Sequence, residues 1–101
     1  MSDTPPNVTV KDDPERKVFL AVLDDGTEVG GAYYRRWDGV VTFTHTEVDP
    51  AFEGQGVGSR LAAGALGLVR DAGERFVPLC PFIRAYVERH PELADLRADA
   101  A

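Results

Sequence analysis

The chain has 101 residues, 44% of them hydrophobic and 28% charged, a balance that suits one globular domain with a modest core. Its net charge of −6 argues against a broad nucleic-acid or anionic-membrane surface, which needs dense lysine and arginine, but leaves room for a small anion site built from backbone N–H groups. One cysteine excludes an internal disulfide, and there is neither an apolar run of about 18 residues nor a signal-peptide pattern, so a cytoplasmic location is the default expectation.

Residues 1–14 hold three prolines and little periodicity, and read as a flexible arm with a short extended piece at Val8–Val10. A folded domain is expected over 15–97, followed by a frayed tail at 98–101. Strand formers begin at RKVFLAVL, where both alternating faces are apolar, as in a strand covered on both sides. Asp24-Asp25-Gly26 makes a turn. Thr27 to Trp37 is the second strand, with a bulge signalled at Gly30-Gly31. Asp38-Gly39 is a two-residue hairpin signal, and Val40 to Val48 is the third strand. Simple alternation along it groups Val41, Phe43, His45 and Glu47 on one face, and Thr42, Thr44, Thr46 and Val48 on the other.

The period then changes. Leu61, Ala65, Leu68, Val69 and Ala72 recur at helical spacing, predicting a helix from about Ser59 to a glycine stop at Gly73. RFVPL is a short fourth strand. Pro81 opens a further helix, PFIRAYVERH, and Pro91 a last short one. A long helix between strands three and four is a crossover, which makes those strands parallel. The fold class is therefore α/β: an antiparallel meander plus a parallel fourth strand, covered by two to three helices.

Between strand three and the long helix lies EGQGVGS, residues 53–59. Glycines at a strand-to-helix junction let the backbone approach a ligand closely, and the unpaired first amides of a helix favour phosphate. A nucleoside-triphosphate loop would need a lysine after the glycines, and a dinucleotide fold would need G-x-G-x-x-G after a first βαβ strand; neither is present.

The stretch resembles the GNAT superfamily of acetyl-CoA-dependent N-acetyltransferases, whose pattern is [QR]-x-x-G-x-[GA] after a strand ending V-x-P. Val48-Asp49-Pro50 is followed here by Glu53-Gly54-Gln55-Gly56-Val57-Gly58, with Glu53 where the family has Gln or Arg. His45-Thr46-Glu47-Val48, Pro78-Leu79-Cys80-Pro81-Phe82 and His90-Pro91-Glu92 sharpen the likeness to a small single-domain branch of that superfamily. The resemblance implies a GNAT-like mixed sheet with acetyl-CoA (coenzyme A) between splayed parallel strands. Thr46 and Val48 would meet the pantetheine arm, while Gly54, Gln55, Gly56, Val57, Gly58 and Ser59 would cradle the pyrophosphate.

The candidates for chemistry are Cys80 and His45. Cys80 precedes a helix N-terminus at the C-terminal end of a parallel strand, which favours thiolate and is also an ordinary place for a small buried residue. His45 is a base suited to neutral pH on the neighbouring strand. Cys80 either accepts the acetyl group covalently with His45 as base, or lines the pocket for direct transfer. Glu47 is another possible base, and the resemblance makes Tyr86 a possible proton donor to the leaving thiolate. His45, Cys80 and His90 lack metal-ligand spacing, so no metal is expected. The expected partners are acetyl-CoA and an amine or peptide acceptor, with no nucleic acid and no membrane. A non-catalytic CoA or acyl-CoA sensor module is the alternative.

Overall fold

The computed structural model describes residues 7–99; the first six residues of the expected arm and the last two of the expected tail lie outside them. Five strands form one sheet in chain order: β1 (Thr9–Asp13), β2 (Val18–Val22), β3 (Glu28–Trp37), β4 (Val40–Val48) and β5 (Arg75–Pro78). Neighbours are antiparallel except β4 and β5, which are parallel across the crossover helix α1 (Val57–Asp71). Helix α2 (Pro81–Glu88) follows β5, and 3-10 turns occupy Pro50–Phe52 and Pro91–Leu96.

The expected four-stranded sheet thus gains a fifth strand, β1, from the segment read as an arm. Its sequence, TVKDD, has little strand character of its own; the partner supplies it. Thr9 to Asp13 pair with Val22 to Val18. Val10 lies against α1 at Gly64, where an added Cβ would meet the Val10 Cγ2 at 2.5 Å. At the chain's other end, Ala98 N donates to Phe76 O at 2.8 Å, so the backbone stays tied beside β5 one residue into the expected tail.

α1 begins at Val57, two residues earlier than its periodicity predicts. It ends in a pair of bonds, Glu74 N to Val69 O and Gly73 N to Arg70 O, both 3.0 Å, the Schellman arrangement that satisfies the last carbonyls. Its buried stripe is Val57, Leu61, Ala62, Ala65, Leu66 and Val69, while Leu68 turns outward. These side chains pack with Ile83 and Val87 of α2 on Phe19, Ala21, Ala32, Val41, Phe43 and Phe76 of the sheet. Both helices therefore cover one face. Val18, Leu20 and Val22 form a separate buried cluster on the other face, which no helix covers among the described residues.

Two bulges break the strand alternation. Ala21 pairs with Gly30 but Val22 with Glu28, so Val29 is the extra residue, one place before the expected glycines. Tyr33 pairs with His45 but Tyr34 with Phe43, so Thr44 is extra on β4. This second bulge shifts the side-chain parity of every later residue in the strand.

At the far end of the sheet, Arg36 bonds Asp12 (3.0 Å), Glu74 (2.9 Å) and the Tyr34 hydroxyl (3.0 Å), and the Tyr34 hydroxyl donates to Asp12. This network joins β1, β3 and the end of α1. Burial, then the Asp12 hydrogen bond, pushes the Tyr34 hydroxyl up from 10.0 to about 12. The folded protein thus holds this proton more tightly than the unfolded chain. That contribution is whole below pH 10 and is lost as pH rises towards 12. Two pKa units correspond to about 2.7 kcal/mol as an upper bound. Wild type is therefore expected to exceed Tyr34→Phe in stability at neutral pH, and the gap should narrow between pH 10 and 12. Urea melts of both proteins across that range check this; a gap independent of pH would refute the assignment.

Candidate functional site

Pairing of β4 with β5 stops at Phe43 and Pro78. The Phe43 carbonyl accepts both Leu79 N (3.1 Å) and Cys80 N (3.0 Å), and the chain then turns into α2. β4 runs on alone on that side from Thr44 to Val48, so a gap opens through the sheet. Above the gap, a 3-10 turn capped by Asp49 Oδ1 on Ala51 N (2.9 Å) leads into the glycine loop.

The loop glycines have two different reasons. Gly54 and Gly56 both have φ +81°, a region that side-chain-bearing residues avoid, and a Cβ on either would project into open space. Gly58 sits in α1, where a Cβ would come within 2.7 Å of the Phe82 ring; it lets the starts of α1 and α2 approach. Gly56 is the N-cap of α1 and supplies no side-chain cap. The first intrahelical bond is Arg60 N to Gly56 O, so the amides of Val57, Gly58 and Ser59 precede it and have no helical acceptor.

A cleft of about 300 Å³ lies at this junction, lined by Thr46, Val48, Phe52, Glu53, Gly54, Gly56, Val57, Gly58 and Phe82. Six of the eight residues expected at a cofactor site line it. Gln55 does not: its N bonds Phe52 O and its Nε2 bonds Ala51 O, both at 3.3 Å. Ser59 is exposed one step further along the helix. Phe52 was not named from sequence, and Phe82 only as the last residue of the motif over 78–82, with no place in the cleft. For Phe52 the one hint is an aromatic residue closing the turn that Pro50 begins.

Thr46 and Val48 point to the helix-covered side, the opposite of a parity that would place Phe43 and His45 together. The Thr46 Oγ1 lies 3.2 Å from Cys80 Sγ, and Cys80 is buried in the main core at the start of α2. His45 lies on the uncovered face, exposed, with Nε2 3.0 Å from Glu47 Oε2 and its ring 6.1 Å from that of Tyr33. The structure therefore does not bring His45 and Cys80 together. The Thr44 bulge is the cause: without it His45 would point with Phe43 toward α2. Tyr86 stacks on His90 at 4.1 Å along α2, packed against the core, and does not line the cleft. Among the described residues no group of three or more His, Cys, Asp or Glu side chains could hold a metal, and no helix is long and apolar enough to cross a membrane.

The comparisons agree with this fold. No curated protein matches the sequence significantly. The solution NMR structure of a GCN5-like protein from Staphylococcus aureus, itself a proposed N-acetyltransferase, superposes with a TM-score of 0.66 at 22% identity. That match covers 100% of this chain and 94% of the other, and at such identity it speaks for the fold. Residues 18–96 match the family of GCN5-related N-acetyl-transferases, a span from the first residue of β2 through the last 3-10 turn that takes in the glycine loop, the splayed strands and Cys80. The chain belongs to the GCN5-related N-acetyltransferase family.

Proposed function

We propose that the protein binds acetyl-CoA in this cleft and transfers the acetyl group directly to an amine. The observation that carries the reading is the pair Gly54 and Gly56, held at positive φ with open space where side chains would be, beside the uncapped N-terminus of α1. Such a cradle suits a pyrophosphate. The unpaired edge of β4 at Thr46 and Val48 suits an amide-bearing arm lying alongside it as an added strand. Acetyl-CoA, when bound, would supply an activated thioester acyl group: the amine nitrogen forms the new C–N bond as the C–S bond breaks, and coenzyme A would leave as the thiol with the nitrogen's second proton.

The chain's own residues then divide by face. Val57, Gly58 and Ser59 offer amides to anionic oxygen atoms. Phe52 and Phe82 supply apolar walls that exclude water. Thr46 lines the cleft, and its Oγ1 contacts the buried Cys80 Sγ behind it. His45, on the other face, accepts the proton of an incoming ammonium, and Glu47 beside it stabilises the imidazolium that results. Separation of His45 from Cys80 removes the base that a covalent cysteine route would use and supports direct transfer. A cytoplasmic location belongs to the proposal, since a chain with one cysteine needs no oxidising compartment to close a disulfide.

Calorimetry with acetyl-CoA should show one site per chain, and no heat at millimolar ligand would end the reading. Turnover against a panel of amines follows, since binding without turnover identifies a CoA sensor instead. Cys80→Ala should keep turnover within about tenfold of wild type, a barrier change of about 1.4 kcal/mol. Loss of all turnover, with an acetyl adduct on Cys80 in rapidly quenched wild type, would establish the covalent route instead.

A further inference from the structure

We propose that a groove on the uncovered face of the sheet is the acceptor subsite, and that it selects extended aliphatic amines carrying a second positive charge. This rests on the acetyltransferase reading above and adds the class of acceptor. The groove holds about 320 Å³. Its floor is the Gly30-Gly31 backbone: a Cβ at Gly30 would point to the helix side, toward Leu61 and Val57, so Gly31 is the bare position on this face, paired beside buried Leu20. Gly31 has little choice in this: a Cβ there would come within 2.9 Å of a Val18 methyl. A flat, partly apolar floor suits a methylene chain. Tyr33 forms one wall, and its ring face is a favourable surface for an ammonium group.

The charges around the rim are unequal. Among the described residues that line it, Arg16 is the one cation, set against Glu28, Glu47 and Asp49. It is already committed to Glu28 by two bonds of 3.0 and 3.2 Å, and lies 3.6 Å from Asp13. Glu47 and Asp49 have no guanidinium or ammonium partner among the described contacts. Glu47 meets His45, and Asp49 accepts from the Ala51 amide. Alternate positions along extended chain are roughly 7 Å apart, which suits two ammonium groups joined by a short methylene chain.

Position ties the groove to the chemistry. Val48 lines both this groove and the cofactor cleft, so the two cavities meet across one strand. Tyr33 pairs with His45 and Gly31 with Glu47, so the groove runs alongside the proposed base. An amine at the His45–Glu47 end reaches the gap between β4 and β5 from the side that the helices leave free. The second charge stays protonated near Asp49 and fixes the register. A free oligoamine and a lysine in a basic peptide present the same chemistry.

The test uses the whole chain. First, a linear triamine is titrated against the ¹⁵N-labelled protein, which reads the groove without any cofactor. Amide shifts should cluster at Gly30, Gly31, Tyr33 and Glu47; no shift there at millimolar triamine overturns the proposal. Second, KM is compared for a monoamine, a diamine and a triamine of matched chain length, and for lysine peptides with and without a second basic residue. The doubly charged member of one or both series should have a KM about tenfold lower, and the series showing it identifies the source. Asp49→Asn keeps the turn cap while removing the charge, so it should erase most of that preference and leave the acetyl-CoA Kd within about twofold. Equal KM across both series, or an Asp49→Asn protein with full preference, refutes the subsite. Failure of acetyl-CoA to bind would instead refute the function beneath it, and the amide titration tells the two failures apart.

Discussion

Replacing Phe43 with alanine is expected to cost about 3–5 kcal/mol of stability, the range for deleting a buried aromatic ring. Phe43 is wholly buried, with the Phe19 ring at 5.8 Å and the Phe76 ring at 6.5 Å. It is also the last β4 residue to pair with β5, and its carbonyl holds the amides of Leu79 and Cys80. The ring therefore anchors the point from which the strands diverge. A domain of this size has about 5–15 kcal/mol in total, so the loss is roughly a fifth or more of the whole. Denaturant melts should show a large fall in midpoint, with Phe43→Leu losing much less because it refills most of the volume. Reaction of Cys80 with a thiol reagent should accelerate in Phe43→Ala, since the sulfur is reached only by opening the same region. A Phe43→Ala protein within about 1 kcal/mol of wild type would mean that the site collapses around the cavity and that the splay is anchored elsewhere.

What could be read in advance, and what could not, follows from where the information resides. β4 was legible to the residue, because its two ends are marked: Asp38-Gly39 closes one and Asp49-Pro50 the other. The stop of α1 was legible in Gly73, and the start of α2 in Pro81. β1 was legible only as a short extended piece at Val8–Val10, because the rest of TVKDD owes its strand to partners distant in sequence: the β2 edge, the space at Gly64, and the Tyr34 and Arg36 side chains that bond Asp12. The Thr44 bulge was silent. It lies in an unbroken run of strand formers, VVTFTHTEV, and only the register against Tyr33 and Tyr34 exposes it. Its effect on the site is out of proportion to its size, since a single extra residue separates His45 from Cys80 and gives each a different face. The family motifs could place both residues near the gap; they could not say that the sheet lies between them.

Gly56→Val is expected to weaken acetyl-CoA binding by at least about tenfold, or 1.4 kcal/mol, while the fold survives. Two effects compete for the observed result. The first is backbone strain: valine at φ +81° is a β-branched residue in a region it avoids, which costs about 1–2 kcal/mol or drives the loop to another conformation. The second is occupancy, because the added carbons enter the open space beside the amides of Val57 and Gly58. If the glycine served geometry alone, only stability would fall. If it serves a phosphate cradle, binding falls further than stability, and calorimetry at a temperature where both proteins are fully folded separates the two. Glu53→Gln should move binding the other way. Glu53 lines the same cleft with an exposed carboxylate, and a full negative charge there opposes a pyrophosphate that the helix dipole attracts. Removing that charge should tighten acetyl-CoA severalfold at low salt, with the gain fading as ionic strength rises. Loss in one variant and gain in the other, with neither unfolding the chain, would locate the anion at the mouth of α1. Unchanged affinity in both would place coenzyme A elsewhere, and the open space at Gly54 and Gly56 would then be a turn and nothing more.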